Sequence, residues 1–191
     1  CPSFDPNLID SALFSGARGS SVLLNRATQG LYPPGSTFKI VTAAAALKQG
    51  FSGTIDCPAD GWTTSPSNPK IRDHEYYSAR SRGKAWRGHG ALDLSTALSK
   101  SSNIFFARLG VDSGRDALQA MTHALHMNDR LVLHQKFGMA LKGSAGRFPD
   151  LSPRDLYGLA QVSIGQGRML TTPLLMTVAT AAIANGGQAP K

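Results

Sequence analysis

The chain has 191 residues, 41% of them hydrophobic, and 20 Lys and Arg against 12 Asp and Glu give a net charge of +8. That is enough for one domain with a sizeable core and too apolar for a disordered chain. No run of about 18 apolar residues occurs, so nothing reads as a membrane-spanning helix, and no stretch reads as a signal peptide.

The sequence opens on Cys1, without an initiating Met, in what reads as mid-domain sequence, so a piece of a longer protein is expected. Residues 1–35 read as irregular, with turn signals at Asp5-Pro6-Asn7 and Gly16 to Gly19 and a short extended or helical piece at Ser21 to Leu24. Tyr32-Pro33-Pro34-Gly35 is a rigid lead-in that resists helix up to Gly35. A helix is expected from Thr37 to Lys48, capped at Gly50 and apolar nearly all round, which is the pattern of a buried helix. Residues 51–90, rich in Gly, Pro, Ser and Thr, read as short strands and loops. Lys70, Arg72, Arg80, Arg82, Lys84 and Arg87 crowd there against Asp73 and Glu75, interleaved with Tyr76, Tyr77 and Trp86. No helix-turn-helix, zinc finger or RNA-binding signature accompanies them, so this reads as a solvated basic loop and not a nucleic-acid site.

A second helix starts near Asp93, breaks at Ser101-Ser102-Asn103, whose side chains compete with helical hydrogen bonds, resumes at Ile104 and ends at Gly110. Asp112 or Ser113 can cap a third, carrying Leu118, Met121 and Leu125. Residues 127–150 read as loop. Ser152-Pro153 signals a helix to about Ile164, broken at Gly165-Gln166-Gly167. Thr172-Pro173 signals another, ending at Asn185-Gly186-Gly187. The fold class expected is mixed α/β, predominantly helical. Cys1 and Cys57 are too few for a disulfide framework and are expected to be unpaired thiols.

Two constellations can carry chemistry. Ser36 and Lys39 stand three residues apart at the opening of the buried helix, one turn apart on one face. Ser36 sits at the positive end of that helix, and a lysine at a core boundary has its charged form disfavoured, which frees a neutral amine to act as a base. Ser101-Ser102-Asn103 can present a hydroxyl and an amide towards a facing site. His123 and His126 share a helix face, but no third metal ligand is indicated. His89 between Gly88 and Gly90 reads as a turn, and Trp62 and Trp86 as ordinary packing.

The stretch Asn25 to Lys39, NRATQGLYPPGSTFK, closely resembles the nucleophile region of class B high-molecular-weight penicillin-binding proteins. Pro2 to Asn7 resembles the segment after their second sheet strand. Gly88-His89-Gly90 leading into Leu92-Asp93-Leu94, Ala97-Leu98 and Ser101-Ser102-Asn103 resembles the approach to their S-x-N motif. Ile164 to Gly167, Thr172-Pro173-Leu174 and Ala184 to Gly187 resemble the helical part after it. These motifs occur in the family's order over most of the chain.

The resemblance implies that residues 1–191 are part of a single transpeptidase domain of the penicillin-binding protein/serine β-lactamase type, chiefly its helical portion. It implies Ser36 as acylated nucleophile, Lys39 as base for acylation, Ser101 as proton relay to the leaving amine and Asn103 as holder of the substrate's amide backbone. It implies no metal and no organic cofactor. The reaction implied is D,D-transpeptidation of peptidoglycan stem peptides through an acyl-enzyme, with β-lactam antibiotics and other cell-wall synthesis proteins as partners. The parent would be membrane-anchored, with this domain in the bacterial cell envelope on the periplasmic or extracytoplasmic face of the inner membrane. The chain departs from the pattern in having no K-[ST]-G: Lys142-Gly143-Ser144 has the wrong order and precedes Gly165-Gln166-Gly167. The family's third motif comes with an oxyanion donor, whose loss costs about 10²–10³ in rate in other serine enzymes, so this stretch alone is expected to be a poor catalyst. A β-lactam-sensing domain and a non-catalytic scaffold of wall synthesis are the alternatives.

Overall fold

The computed structural model of the chain describes residues 24–136 and 139–189. The turn signals of residues 5–7 and 16–19, the Pro2 to Asn7 segment and Cys1 lie outside the described residues.

The lead-in at Tyr32-Pro33-Pro34 delivers the chain into a 3-10 turn, Gly35–Phe38, continuous with helix α1, Lys39–Lys48. The α-helix thus begins two residues later than the sequence pattern suggests. Alanines and Val41 let α1 pack on several sides: Ala43 and Ala46 belong to one core cluster and Val41 and Ala45 to another. Its end is a Schellman motif, with Gly50 N–H on Leu47 O (2.9 Å), Phe51 N–H on Ala46 O (3.0 Å), and Gly50 at φ 82°.

Strands β1 (Thr54–Cys57) and β2 (Gly90–Asp93) pair antiparallel, Thr54 opposite Asp93 and Cys57 opposite Gly90. Between them lies helix α2, His74–Ser81, in the stretch expected to be loop. Only Ala79 of it is buried, so it has no apolar stripe to betray it. Helices α3 (Leu94–Lys100) and α4 (Asn103–Ser113) follow, meeting at residues 101 and 102. Helix α4 runs three residues past Gly110. Helix α5, Arg115–Ala124, is preceded by Gly114 as its cap instead of Asp112 or Ser113. Residues 127–150, expected to be loop, contain an antiparallel hairpin of β3 (Val132–Lys136) and β4 (Met139–Lys142). Helix α6 is Leu156–Ser163 and helix α7 is Pro173–Ala184. Asp155 caps α6 through the Gly158 N–H (2.8 Å), while Ser152, the expected cap, bonds Arg154 N–H (3.2 Å) in a turn before it.

The first cluster buries Ile55, Cys57, Leu92, Phe105 and Phe106 between the β1–β2 pair, α1 and α4. The second gathers Phe38, Leu118, Met127, Leu151 and Leu159 around the other side of α1. Phe38, Phe105 and Phe106 are wholly buried, each worth about 1.5–3 kcal/mol in apolar area removed from water. Helices α4 and α6 touch through Gly110, where a Cβ would lie 1.8 Å from Ser163 Oγ. The Thr42 hydroxyl donates to Ser163 O (2.8 Å), which ties α1 to the end of α6.

The 3-10 turn is held from outside. Gly35 N–H donates to Gly165 O at 2.8 Å. Gly165 has φ 71°, and a Cβ there would come within 2.0 Å of Gly35 O. Gly165→Ala therefore meets both a left-handed backbone and a clash with backbone that cannot move without carrying Ser36 with it. It is expected to cost about 2 kcal/mol or more, read as a lower urea midpoint at unchanged slope. An unchanged midpoint would mean that this contact does not fix the turn.

Candidate active site

Ser36 is the second residue of the 3-10 turn, and Lys39, whose backbone N–H donates to Ser36 O, begins the α-helix. In a 3-10 turn residues three apart nearly eclipse, so the two side chains leave the backbone on one side. Ser36 is exposed, and its hydroxyl has no hydrogen-bond partner among the described residues. Lys39 is 1% exposed, its stem in the core.

The Lys39 amine is directed at the α3–α4 junction. It donates to Ser101 O (2.5 Å), Ser101 Oγ (3.1 Å) and Asn103 Oδ1 (2.7 Å), which uses all three donors of an ammonium. The Phe106 ring centroid lies 5.8 Å away. Burial lowers the Lys39 pKa from 10.5 to about 8, against the opposing pull of the Asp73 and Glu75 carboxylates. At pH 7 about one amine in ten is then neutral. The sequence reading of a lysine whose charge is disfavoured at a core boundary agrees with this environment.

The junction itself is a second Schellman motif: Ser101 N–H bonds Leu98 O and Ser102 N–H bonds Ala97 O, both at 3.0 Å. Where the first such motif has Gly50, this one has Ser101, at φ 53° and ψ 40°. A non-glycine residue in that region costs of order 1 kcal/mol, and such strain concentrates at functional sites. Here its carbonyl and hydroxyl both point at Lys39. Asn103 opens α4 and is fixed at both ends of its amide, Oδ1 on Lys39 and Nδ2 donating to Arg72 O (3.0 Å). One N–H of that amide is left for another partner.

Ser102, between them, faces inward and is wholly buried. Its hydroxyl accepts from Phe105 N–H (3.1 Å), capping α4, and donates to Asp73 Oδ1 (3.0 Å). Asp73 Oδ1 also accepts from Ile104 N–H at 3.1 Å. The Cys57 thiol, 3.6 Å from Ser102 Oγ, is unpaired and buried at the end of β1, and burial pushes its pKa up. His89 lies between two positive-φ glycines, but not in a turn as expected: the chain there leads directly into β2, with the His89 N–H on Cys57 O and its ring buried against Trp86. Its Nε2 lies 3.9 Å from Asp73 Oδ2 and 3.5 Å from Glu75 Oε2. Among the described residues no group of three or more His, Cys, Asp or Glu is arranged to hold a metal.

Lys39, Ser101 and Asn103 thus come together across more than sixty residues of sequence, with Ser36 one 3-10 turn before Lys39. The sequence reading gives no site role to Asp73, Glu75, His89 or the Arg72 carbonyl. Asp73 reads there as a counter-charge in a basic stretch, and no spacing links it to partners 29 and 31 positions away.

All residues, 1–191, match the family model of the penicillin binding protein transpeptidase domain. The chain is 34% identical over 195 residues to peptidoglycan D,D-transpeptidase PbpA of Mycobacterium tuberculosis, covering 97% of this chain and 37% of that protein. It is 31% identical over 199 residues to peptidoglycan D,D-transpeptidase MrdA of Escherichia coli K12, covering 97% of this chain and 30% of that one. The solved structure of M. tuberculosis penicillin-binding protein A as a ceftriaxone acyl-enzyme superposes with a TM-score of 0.77 at 31% identity, over 98% of this chain and 41% of that one. The chain therefore spans only about a third of the length of these relatives, 37% of one and 30% of the other.

Proposed function

The chain belongs to the penicillin-binding protein transpeptidase family, class B, and on that premise we propose that it forms peptidoglycan cross-links through an acyl-enzyme on Ser36. One observation carries the reading: a buried lysine of pKa about 8, one 3-10 turn from an exposed serine, whose amine is held by Ser101 and Asn103.

In the proposed reaction Ser36 Oγ attacks the carbonyl carbon of the D-Ala–D-Ala bond of a stem peptide. Its proton passes to the neutral Lys39 amine. When the C–N bond breaks, a proton reaches the departing D-Ala amine by way of Ser101. Asn103 offers its free N–H to the substrate's backbone carbonyl. An amine of a neighbouring stem then attacks the ester and restores Ser36. β-Lactams follow the first half and stop at the ester. The reading places the domain in the cell envelope, on the extracytoplasmic face of the inner membrane where stem peptides are joined. Anchoring and contact with other wall-synthesis proteins belong to the longer protein.

The test uses the full-length protein with a fluorescent penicillin and, separately, a D-Ala–D-Ala stem peptide plus an acceptor amine. The label should map to the peptide holding Ser36, and cross-linked product should accumulate. Acylation needs the neutral amine, so its rate should climb with pH to a plateau with a midpoint near 8. A stable label without turnover would instead identify a β-lactam sensor, and no label a non-catalytic scaffold.

A further inference from the structure

We propose that Asp73 is a positioning residue for this site: its buried carboxylate, bonded to Ser102 and to the first turn of α4, sets the turn that presents Ser101 and Asn103 to Lys39. The inference rests on the acyl-transfer reading and adds to it a group that touches neither substrate nor nucleophile.

Asp73 occupies the N-cap position of α2, where an Asp ordinarily bonds its own helix's first N–H groups. It makes no such bond. Its carboxylate is turned to a helix thirty residues on, where Oδ1 takes the Ser102 hydroxyl and the Ile104 N–H. These flank Asn103 in sequence, and Ser101 precedes them. A shift of Asp73 therefore moves both groups that hold the Lys39 amine. The negative charge also lies at the positive end of α4.

Local stability does not explain this carboxylate. It is 1% exposed, and Oδ2 has no hydrogen-bond partner. Burying a half-satisfied carboxylate costs several kcal/mol unless a charge offsets it. The charged and titratable groups around it are Lys39, the half-exposed Glu75, His89 at 3.9 Å, and the buried Cys57 beside Ser102. The Arg72 guanidinium is turned over the Tyr76 ring, 4.6 Å from its centroid. Lys39 and, when protonated, His89 are thus the cations available to it, and Asp73 in turn opposes the loss of the Lys39 proton.

The experiment measures the second-order rate of fluorescent penicillin acylation across pH 6–10, with melting temperatures, on full-length wild type, Asp73→Asn and Ser102→Ala. Asp73→Asn keeps size and an acceptor oxygen but removes the charge. Burial of Lys39 is then less opposed, so the acid limb should move to lower pH by at least about half a unit. The plateau should fall several-fold, because a neutral acceptor holds the turn less firmly. Ser102→Ala breaks the bridge and leaves the carboxylate, so the plateau should fall about fivefold with the midpoint unmoved. A folded Asp73→Asn protein with wild-type midpoint and plateau overturns the inference. If that variant does not fold, Ser102→Ala decides, and a wild-type rate there overturns it. Wild type that takes no label at all defeats the functional reading instead.

Discussion

Ser36→Ala is expected to abolish covalent labelling of the full-length protein by β-lactam and to lower transpeptidation at least about 10⁴-fold, with no measurable change in melting temperature. The two halves of that result have separate causes. Activity should vanish because removing a nucleophilic serine removes the covalent route, leaving only what binding and electrostatics supply. Stability should hold because Ser36 is exposed and its hydroxyl bonds to no described residue, so the change is a surface one within about 0.5 kcal/mol. The backbone of the turn is held by Gly165 and by Phe38 in the core, neither of which needs the hydroxyl. Persistent labelling, mapped to another residue, would remove Ser36 from the mechanism. A large fall in melting temperature would show that the serine is structural.

The parts of this site that could be read from sequence are those set by local periodicity. The S-x-x-K spacing, the apolar run behind it and Gly50 at its end specify a buried helix whose first turn carries a hydroxyl and an amine. The break at Ser101-Ser102-Asn103 is likewise local, since those side chains compete with helical bonds. What was not legible depends on contacts between distant segments. The 3-10 form of residues 35–38 rests on Gly35 meeting Gly165, 130 positions away, and nothing near Pro34 announces it. Helix α2 has charged and aromatic residues on nearly every face, a pattern that reads as loop. Its cap, Asp73, does not even cap it, so the usual start signal misdirects. The start of α6 moved because two cap residues, Ser152 and Asp155, lie three apart, and the second takes the helix. Ser102 illustrates the division. Sequence names it as the middle of a motif, but only the fold shows it facing inward, joining the motif to a carboxylate behind it.

Lys39→Met is expected to lower β-lactam acylation about 10²–10⁴-fold, the usual worth of a positioned general base, and to abolish the rise in rate with its midpoint near pH 8. Stability should respond to the same substitution in a pH-dependent way. The Lys39 pKa is about 8 in the folded chain against 10.5 for the ordinary side chain. Below pH 8 both states hold the proton, and folding carries the full cost of burying it, about 3 kcal/mol. Between pH 8 and 10.5 the unfolded chain still binds a proton that the folded chain has released, so wild-type stability should rise with pH through that window. Met has no proton to lose, so this contribution disappears from the variant. It also leaves Ser101 O and Asn103 Oδ1 without their donor at every pH, a loss of about 1–3 kcal/mol that offsets part of the gain from removing a buried charge. The two proteins should therefore lie close in melting temperature at pH 7, with wild type pulling ahead as pH rises to 10. Parallel curves would mean that the amine is solvated and not buried. The arrangement would then lack a base that is neutral at working pH, and the case for Lys39 as proton acceptor would fail even if Ser36 is acylated.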